Sequence, residues 1–163
     1  MRRIDPVTLS FALGVCALAL IVGALGFQYI GRYPPCEMCQ WQRWPHIAAA
    51  VIGIVGAGLI RFGLVDRSAG RFLAAITILL IAISGGLGVY HAGVEWHWWP
   101  GPKSCTGPAF KFQGTLDLTA PVVMCDAPAW RLFGLSLAGY NAIISLGIAA
   151  LGAALLMRSR RRT

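Results

Sequence analysis

The sequence predicts an all-α membrane protein, a bundle of four transmembrane helices with both termini in the cytoplasm. Three observations lead to this fold class. The chain of 163 residues is 57% hydrophobic and 12% charged, whereas soluble domains carry about 25% charged residues. Four apolar stretches approach or exceed the roughly 20 residues that a helix needs to cross a bilayer. Finally, arginines cluster at the same side of these stretches.

The four spans are predicted near residues 7–27, 44–60, 72–90 and 132–157. The second is the shortest, and we expect it to gain length from the residues just before it. Residues 28–43 and 91–131 then form two outer loops, and residues 61–71 form a short basic inner loop. The sequence contains no internal repeat and no separate soluble segment, so residues 1–163 are predicted to form a single membrane domain.

The basic residues predict the orientation of the bundle. Nine of the 14 Lys and Arg residues fall on one side of the predicted spans: Arg2, Arg3, Arg61, Arg67, Arg71, Arg158, Arg160, Arg161 and Arg162. Short segments rich in arginine and lysine stay in the cytoplasm. The loops at 28–43 and 91–131 are therefore predicted to be periplasmic. Six tryptophans map to this outer interface, as expected of an aromatic belt: Trp41, Trp44, Trp96, Trp98, Trp99 and Trp130.

Two other interpretations fit less well. The net charge of +8 could indicate nucleic-acid binding, but no basic stretch is interleaved with exposed aromatics, so no nucleic-acid partner is expected. The segment Ala24-Leu25-Gly26 resembles the small-x-small site of a cleaved signal peptide. The apolar run before it is longer than a signal h-region of about 7–15 residues, so we expect the first span to be retained.

A CxxC pair, Cys36 and Cys39, lies at the outer edge of the second span and follows Pro34-Pro35. If a helix begins there, Cys36, Cys39 and Arg43 share one face. Helix N-terminal amides and a nearby guanidinium favour a reactive thiolate. A structural disulfide or half of a zinc site is the alternative. Zinc usually takes four ligands in recognisable pairs, and the sequence has no second CxxC. The pattern favours a redox pair and no metal.

Cys105 and Cys125 lie together in the long outer loop. A structural bridge closing about 20 residues would stabilise the fold by about 3 kcal/mol, whereas an exposed, exchangeable pair would serve a thiol partner. The residues alone leave both roles open. Four outer cysteines form an even number, which fits an oxidising compartment. Cys16 lies within the first span and is expected to be a small buried apolar residue.

Arg43 and His91 are the candidates for binding a lipid-soluble acceptor. An arginine near hydrocarbon is costly, and it either reaches the head groups or donates hydrogen bonds to a carbonyl on which negative charge develops. His91, at the outer end of the third span, is either a hydrogen-bond donor or proton carrier, or an interfacial filler. His46 and His97 are weaker candidates. Glu95 is expected to be a solvated charge at the rim of the tryptophan cluster.

Three motifs occur in chain order: Cys36-x-x-Cys39-x-x-x-Arg43, then Tyr90-His91 with Trp98-Trp99-Pro100 before Cys105, then Cys125 followed by Trp130-Arg131. Together they resemble the DsbB family, the bacterial inner-membrane disulfide bond formation proteins B, which oxidise DsbA and pass electrons to quinone. The similarity extends over nearly the whole chain in span number, cysteine order and loop order. The segment between the last two cysteines is shorter than in the best-known members, which bears on which thiol protein docks.

The resemblance implies a quinone-dependent protein-disulfide oxidoreductase in the bacterial inner membrane. Its partners would be a periplasmic thioredoxin-fold protein and the membrane pool of ubiquinone or menaquinone. Cys36 and Cys39 would exchange electrons with quinone, with Cys39 in contact with it and Arg43 holding it. Cys105 would take the mixed disulfide with the partner, and Cys125 would then attack Cys36.

Three alternatives stay open. Within the same chemistry, the protein could oxidise one dedicated periplasmic substrate, or it could run electrons in reverse like the vitamin K epoxide reductases. In another class, it could be a non-enzymatic membrane scaffold or a metal-handling protein held together by structural disulfides. Flavin and nicotinamide cofactors are not expected, because no glycine-rich nucleotide motif follows a strand.

Overall fold

The computed structural model describes residues 4–106 and 123–160, which are mostly helical. Two short strands, β1 (Arg131–Leu132) and β2 (Leu135–Ser136), pair antiparallel just before the last helix. Each of the four long helices is long and apolar enough to cross a membrane, which confirms the predicted four-span helical class. The helices are α1 (Pro6–Tyr29), α2 (Glu37–Arg61), α3 (Gly70–Glu95), with a 3-10 turn at Arg67–Ala69 before it, and α4 (Leu137–Arg160).

The outer helix ends differ from the predicted span limits. Helix α2 begins at Glu37, well before residue 44, and it continues through Pro45. Helix α3 runs one turn beyond Tyr90 to Glu95. Helix α4 begins later than residue 132, because Gly134 with its φ of +80° allows the chain to turn between β1 and β2. These limits place the first cysteine pair on α2 and Glu95 on α3.

Small residues let the helices approach closely at two crossings. At the crossing of α1 and α2, a Cβ built on Gly53 would lie 2.7 Å from the Cα of Gly14. At the crossing of α3 and α4, a Cβ on Gly88 would lie 2.9 Å from the backbone nitrogen of Ala142. Helices in membranes associate through such backbone contacts, since lipid provides no hydrophobic force between them.

One end of the bundle holds five of the described arginines: Arg61, Arg67, Arg71, Arg158 and Arg160. Arg67 lies 3.5 Å from the carboxylate of Asp5, and Arg71 donates to the hydroxyl of Ser159 at 3.5 Å. The N-termini of α1 and α3 and the C-terminus of α4 therefore meet at this end. The basic residues Arg2, Arg3, Arg161 and Arg162, on which the predicted orientation also rests, lie outside the described residues.

The interior contains two apolar clusters. The larger lies in the bundle and joins small and branched side chains of all four helices: Leu9, Leu13, Ala17, Ala49, Ala50, Ala74, Ile81 and Ala149. The smaller lies at the end opposite these five arginines, and four of the chain's five cysteines pack in or against it. Its buried members are Cys36, Met38, Val94, Cys105 and Cys125. The second cluster is where the chemistry of the molecule is concentrated.

Candidate functional site

Cys36 caps the N-terminus of α2. Its sulfur accepts the backbone N–H of Cys39 at 3.2 Å, as a serine or aspartate oxygen does at other helix starts. The two sulfurs are 2.8 Å apart. Cys36 is buried and Cys39 is partly buried. Because helix N-terminal amides favour negative charge, this position stabilises a thiolate shared by the pair.

The hydrogen between the two sulfurs belongs to Cys36. Its thiol donates to the sulfur of Cys39, and this bond, with burial as the second cause, raises the pKa of Cys36 above that of an ordinary thiol. When the pair has lost one proton, Cys39 therefore carries the negative charge. This assigns nucleophilic character to Cys39, the sulfur one turn further along α2.

Cys105 and Cys125 form a disulfide. The N–H of Cys125 donates to the carbonyl of Cys105 at 2.7 Å, and both residues are buried. A small cavity of about 30 Å³ borders on Cys36, Cys39 and Val123, close to this bridge. The structure thus brings together all four cysteines that the sequence singled out, with two bonded and two unbonded.

His91 lies between the two pairs. Its Nε2 is 3.5 Å from the sulfur of Cys36, and the carbonyl of Cys125 faces its ring. Its Nδ1 is 2.9 Å from Nε2 of Gln42. The imidazole is buried, with 2% of its surface exposed. The sequence predicted His91 at a quinone site, and the structure brings it against the cysteine pair as well.

The amide of Gln42 determines which nitrogen of His91 carries the hydrogen. Gln42 Nε2 also donates to the carbonyl of Met38 at 3.1 Å, and its Oε1 accepts from Asn141 Nδ2 at 2.8 Å. The reverse orientation would place two acceptors together, so the amide NH₂ faces the ring. His91 Nδ1 is then an acceptor, and neutral His91 holds its hydrogen on Nε2, directed towards Cys36.

Asn141 on α4 joins this network to His46. Its amide donates to the carbonyl of Ser84 at 3.1 Å, and its Oδ1 lies 3.0 Å from His46 Nε2. Ser145 donates to the same oxygen at 2.7 Å. His46 therefore donates through Nε2, while its buried Nδ1 has no hydrogen-bond partner among the described residues. Sequence reasoning ranked His46 low and missed Gln42 and Asn141.

A cavity of about 400 Å³ opens beside Cys39, within the range of about 300–1,000 Å³ that is usual for ligand sites. Apolar residues of α1 (19–27) and α4 (137–144) line two of its sides, with Pro128–Trp130 at the outer end. Polar side chains lie on the wall formed by α2, α3 and the start of α4: Cys39, Gln42, Arg43, His46, His91, Glu95 and Asn141.

Arg43 ties α2 to the end of α1. Its Nη1 donates to Oε1 of Gln28 at 2.6 Å and to Oε1 of Gln40 at 3.4 Å. A guanidinium has five N–H donors, so others are available to a ligand in the cavity. The predicted position of Arg43, on one side of α2 with the cysteine pair, agrees with its place on the cavity wall beside Cys39.

Glu95 is buried, which corrects the expectation of a solvated rim charge. Only 6% of its surface is exposed, and its Oε1 is 3.7 Å from His91 Nε2. Its Oε2 has no hydrogen-bond partner within the described ranges. The expectation was wrong because α3 continues beyond its apolar run, and its last turn directs Glu95 inwards. The spacing of four residues from His91 is the signal that could have revealed it.

Two other candidates lie outside this site. Cys16 was expected to be buried, but it is exposed on the outer surface of α1, the surface that faces lipid in a spanning helix. His97 lies beyond the end of α3 with a φ of +60° and is exposed. Neither lines the two cavities described above.

The site also resembles a metal-binding group, since the sulfurs of Cys36 and Cys39 and a ring nitrogen of His91 lie within 4.8 Å of one another. A metal ligand must present a lone pair. The nitrogen of His91 that faces Cys36 carries its hydrogen, because Gln42 donates to the other nitrogen. This pattern favours thiol chemistry over metal ligation.

The residues of the larger cavity fit a quinone. The apolar walls of α1 and α4 suit a flat ring and its isoprenoid tail. Arg43 can donate to a ring carbonyl, and Cys39 lies on the same wall. The buried acceptors His46 Nδ1 and Glu95 Oε2 belong to residues that border this cavity. These acceptors suit the hydroxyl groups of the reduced ring.

Comparisons with known proteins agree with the sequence motifs. The family model described as "Disulfide bond formation protein DsbB" matches residues 6–155. A protein of Aromatoleum aromaticum named Disulfide bond formation protein B is 31% identical, over 94% of this chain and 98% of its own length. Proteins of the same name from Shewanella amazonensis (34%; 77% and 75%) and Burkholderia thailandensis (28%; 92% and 89%) are also similar. No solved structure matches the chain significantly.

The hydrogen bond between the sulfurs predicts how Cys36 titrates. Replacing Cys39 with serine removes the anionic acceptor, so the pKa of Cys36 should fall towards the ordinary value of about 8.5 but stay above it because burial remains. The measurement is the rate of iodoacetamide labelling of Cys36 against pH, by mass spectrometry, in protein with the other three cysteines replaced. The matched control keeps Cys39 and is fully reduced. An unchanged or higher midpoint in Cys39→Ser would contradict the assignment.

Proposed function

The chain belongs to the DsbB family of membrane disulfide bond formation proteins, and we propose that it reoxidises a DsbA-like thioredoxin-fold protein and passes the electrons to membrane quinone. One observation carries the proposal. Cys36 packs in a buried cluster with the Cys105–Cys125 disulfide, while its partner Cys39 lies on the wall of an apolar cavity. The two cysteine pairs would thus carry electrons from the outer loop to a pocket between lipid-facing helices.

The proposed location is the bacterial inner membrane, with both termini in the cytoplasm and the cysteines facing the periplasm. Arg61, Arg67, Arg71 and Arg158 occur at or next to helix ends on the side away from the cysteines. The positive-inside rule places such ends in the cytoplasm. An oxidising periplasm is also where an exchangeable disulfide is maintained.

The proposed exchange begins at Cys105. A partner thiolate attacks this sulfur and releases Cys125, which attacks Cys36 of the oxidised Cys36–Cys39 pair and releases Cys39 as a thiolate. The second partner thiol then attacks the mixed disulfide, so the partner leaves oxidised and Cys105 is freed. Cys105 finally recovers its bond to Cys125 and releases Cys36. The net result is one new disulfide in the partner and one reduced pair, Cys36 and Cys39.

The remaining residues orient and stabilise the reaction. Bound quinone would supply the acceptor of two electrons, as is usual where a cofactor performs redox chemistry. Arg43 would hold a ring oxygen and stabilise negative charge on it. His91 would donate through Nε2 to the sulfur of Cys36 when that sulfur leaves as an anion. The walls of α1 and α4 would exclude water from the thiolate of Cys39.

Removal of either sulfur of the first pair tests the function. Cys36→Ser and Cys39→Ser should each abolish electron transfer from a reduced thioredoxin-fold protein to a short-chain ubiquinone, with activity falling below about 5% because no second nucleophile can replace the lost thiol. The rate of quinol formation is measured by absorbance. The control is Cys16→Ser, on the lipid face of α1, which should retain activity. Retained turnover in Cys39→Ser would exclude the proposal and favour a structural role for the sulfurs.

A trapped mixed disulfide identifies the partner. In Cys125→Ala protein, the resolving sulfur is missing, so a covalent adduct at Cys105 should accumulate in cells and run as a larger band on a non-reducing gel. The Cys105→Ala, Cys125→Ala double variant is the control and should show no adduct. A thioredoxin-fold protein in the band supports the general pathway. One unrelated periplasmic substrate would indicate a dedicated oxidase instead.

Truncation of Arg43 tests where quinone binds. Arg43→Ala should raise KM for quinone at least about tenfold, since a hydrogen bond from a charged group contributes about 1.5–3 kcal/mol, and Arg43→Lys should recover part of the loss. Arg61→Ala, at the opposite end of α2, serves as the control. The measurement is the initial rate against quinone concentration. A scaffold or metal-handling protein would bind no quinone and would not respond to Arg43→Ala.

A further inference from the structure

Glu95 is a buried acid that the exchange described above does not use. We propose that Glu95 is the proton carrier of the site, which takes up a proton when the cysteine pair is reduced and delivers it to an oxygen of the bound ring. The inference rests on the proposed function, because it concerns how the same site completes the reduction of quinone.

Its position is the first argument. Glu95 borders both cavities, the one of about 400 Å³ beside Cys39 and the one of about 30 Å³ beside Cys36. Arg43 and His46 border the larger cavity. The carboxyl group is therefore at the wall between the sulfurs that lose protons and the space where a ring would accept them. A proton carrier must be within hydrogen-bond reach of both sides, directly or through one water.

The hydrogen positions of His91 are the second argument. His91 is the nearer base to Cys36, but its neutral form already holds a hydrogen on Nε2, and its Nδ1 accepts from Gln42. Protonating Nδ1 would set two donors against each other across 2.9 Å. His91 therefore stays a hydrogen-bond donor through Nε2 and does not accept a proton. The proton acceptor is then the next polar side chain on this face of α3, which is Glu95. Glu95 Oε1 lies 3.7 Å from the same Nε2.

The third argument concerns one oxygen of the Glu95 carboxyl group. Glu95 Oε2 is buried without a hydrogen-bond partner in the described part of the chain, and a buried carboxylate oxygen that is ionised and has no partner is costly. The groups that face it are His91 on α3, the cysteine pair on α2, and Arg131 and Ser136 on the strand pair. Arg131 is exposed, so water screens its charge. A proton on Oε2 therefore relieves the cost.

The protons and electrons balance with Glu95 in this role. Before the reaction, Cys36 is a thiol, Cys39 is a thiolate and Glu95 is protonated. Formation of the Cys36–Cys39 bond releases two electrons, which reduce the ring. The thiol of Cys36 supplies one proton and Glu95 supplies the other, so the ring leaves as quinol and Glu95 is left as a carboxylate. The dithiol of the partner brings in two protons when the next exchange reduces the pair. Cys36 takes one of them and Glu95 takes the other, while Cys39 is left as a thiolate.

A measurement without quinone tests the proton on Glu95 directly. Glu37→Gln protein is labelled with ¹³C-carboxyl glutamate, so that Glu95 is the one labelled acid, because the sequence contains glutamates only at 37 and 95. The infrared spectrum of the oxidised, quinone-free protein is subtracted from that of the dithiothreitol-reduced protein. A protonated-carboxyl band that appears on reduction and shifts with the label is expected. Absence of the band would overturn the inference, even if no variant of Glu95 folds.

Steady-state kinetics supply the second test, with dithiothreitol as donor and a short-chain ubiquinone as acceptor. Glu95→Gln should lower kcat by about 10²-fold, the lower range of general acid–base effects. It should also leave KM for quinone unchanged and remove the loss of activity as pH rises through the titration of Glu95. Glu95→Asp should recover part of the rate. The exposed carboxyl of Glu37 gives the control, since Glu37→Gln should change the rate by no more than about twofold.

The outcomes separate the two proposals. If wild-type protein fails to reduce quinone, the proposed function is wrong, while the infrared measurement still decides whether Glu95 takes a proton. If wild-type protein reduces quinone and Glu95→Gln does so at the same rate with the same pH profile, Glu95 is not the carrier. A fall in kcat together with a raised KM would instead indicate that Glu95 positions the ring, and it would also overturn the inference.

Discussion

The hydrogen bond from Asn141 Nδ2 to Gln42 Oε1 is the interaction on which the rest of the site depends. It joins α4 to α2 at 2.8 Å and fixes which side of the Gln42 amide meets His91. Because the nitrogen side faces the ring, the hydrogen of His91 is directed towards Cys36. A buried polar network of this kind specifies one arrangement only when each member is satisfied. One amide on α4 thus determines hydrogen positions on α2 and α3.

Burial of the cysteines has a second consequence. Cys36, Cys105 and Cys125 each expose at most 7% of their surface, and they share one apolar cluster. Sulfurs held as neighbours react as if at very high local concentration, so the proposed exchange inside the protein would compete well with reaction with outside thiols. The cost is that Cys105 is itself buried, so the proposed partner would reach its sulfur only after the surrounding chain moves.

The sequence predicts what local rules control. Span number follows from the length of hydrocarbon that a helix must cross, and the shared face of Cys36, Cys39 and Arg43 follows from helical periodicity. Gln42 and Asn141 are 99 residues apart in the chain, so no local spacing rule predicts their hydrogen bond. Glu95 was misplaced for a different reason. Its tryptophan neighbours indicate an interface, but all residues of the last turn of α3, from His91 to Glu95, are buried.

The grouping of polar residues at one end of the cavity follows from the cost of charge in hydrocarbon. Two-electron reduction of a ring places negative charge on its oxygens, and in a medium of low dielectric constant that charge is costly unless it is paired or neutralised at once. Arg43 can pair with one oxygen, and a proton can neutralise the other. Pairing requires a charged group and neutralisation requires a proton donor, and both kinds of group are themselves costly to bury. They are therefore concentrated where α2 begins and its amide dipoles and Cys39 already lie, while the walls of α1 and α4 stay apolar.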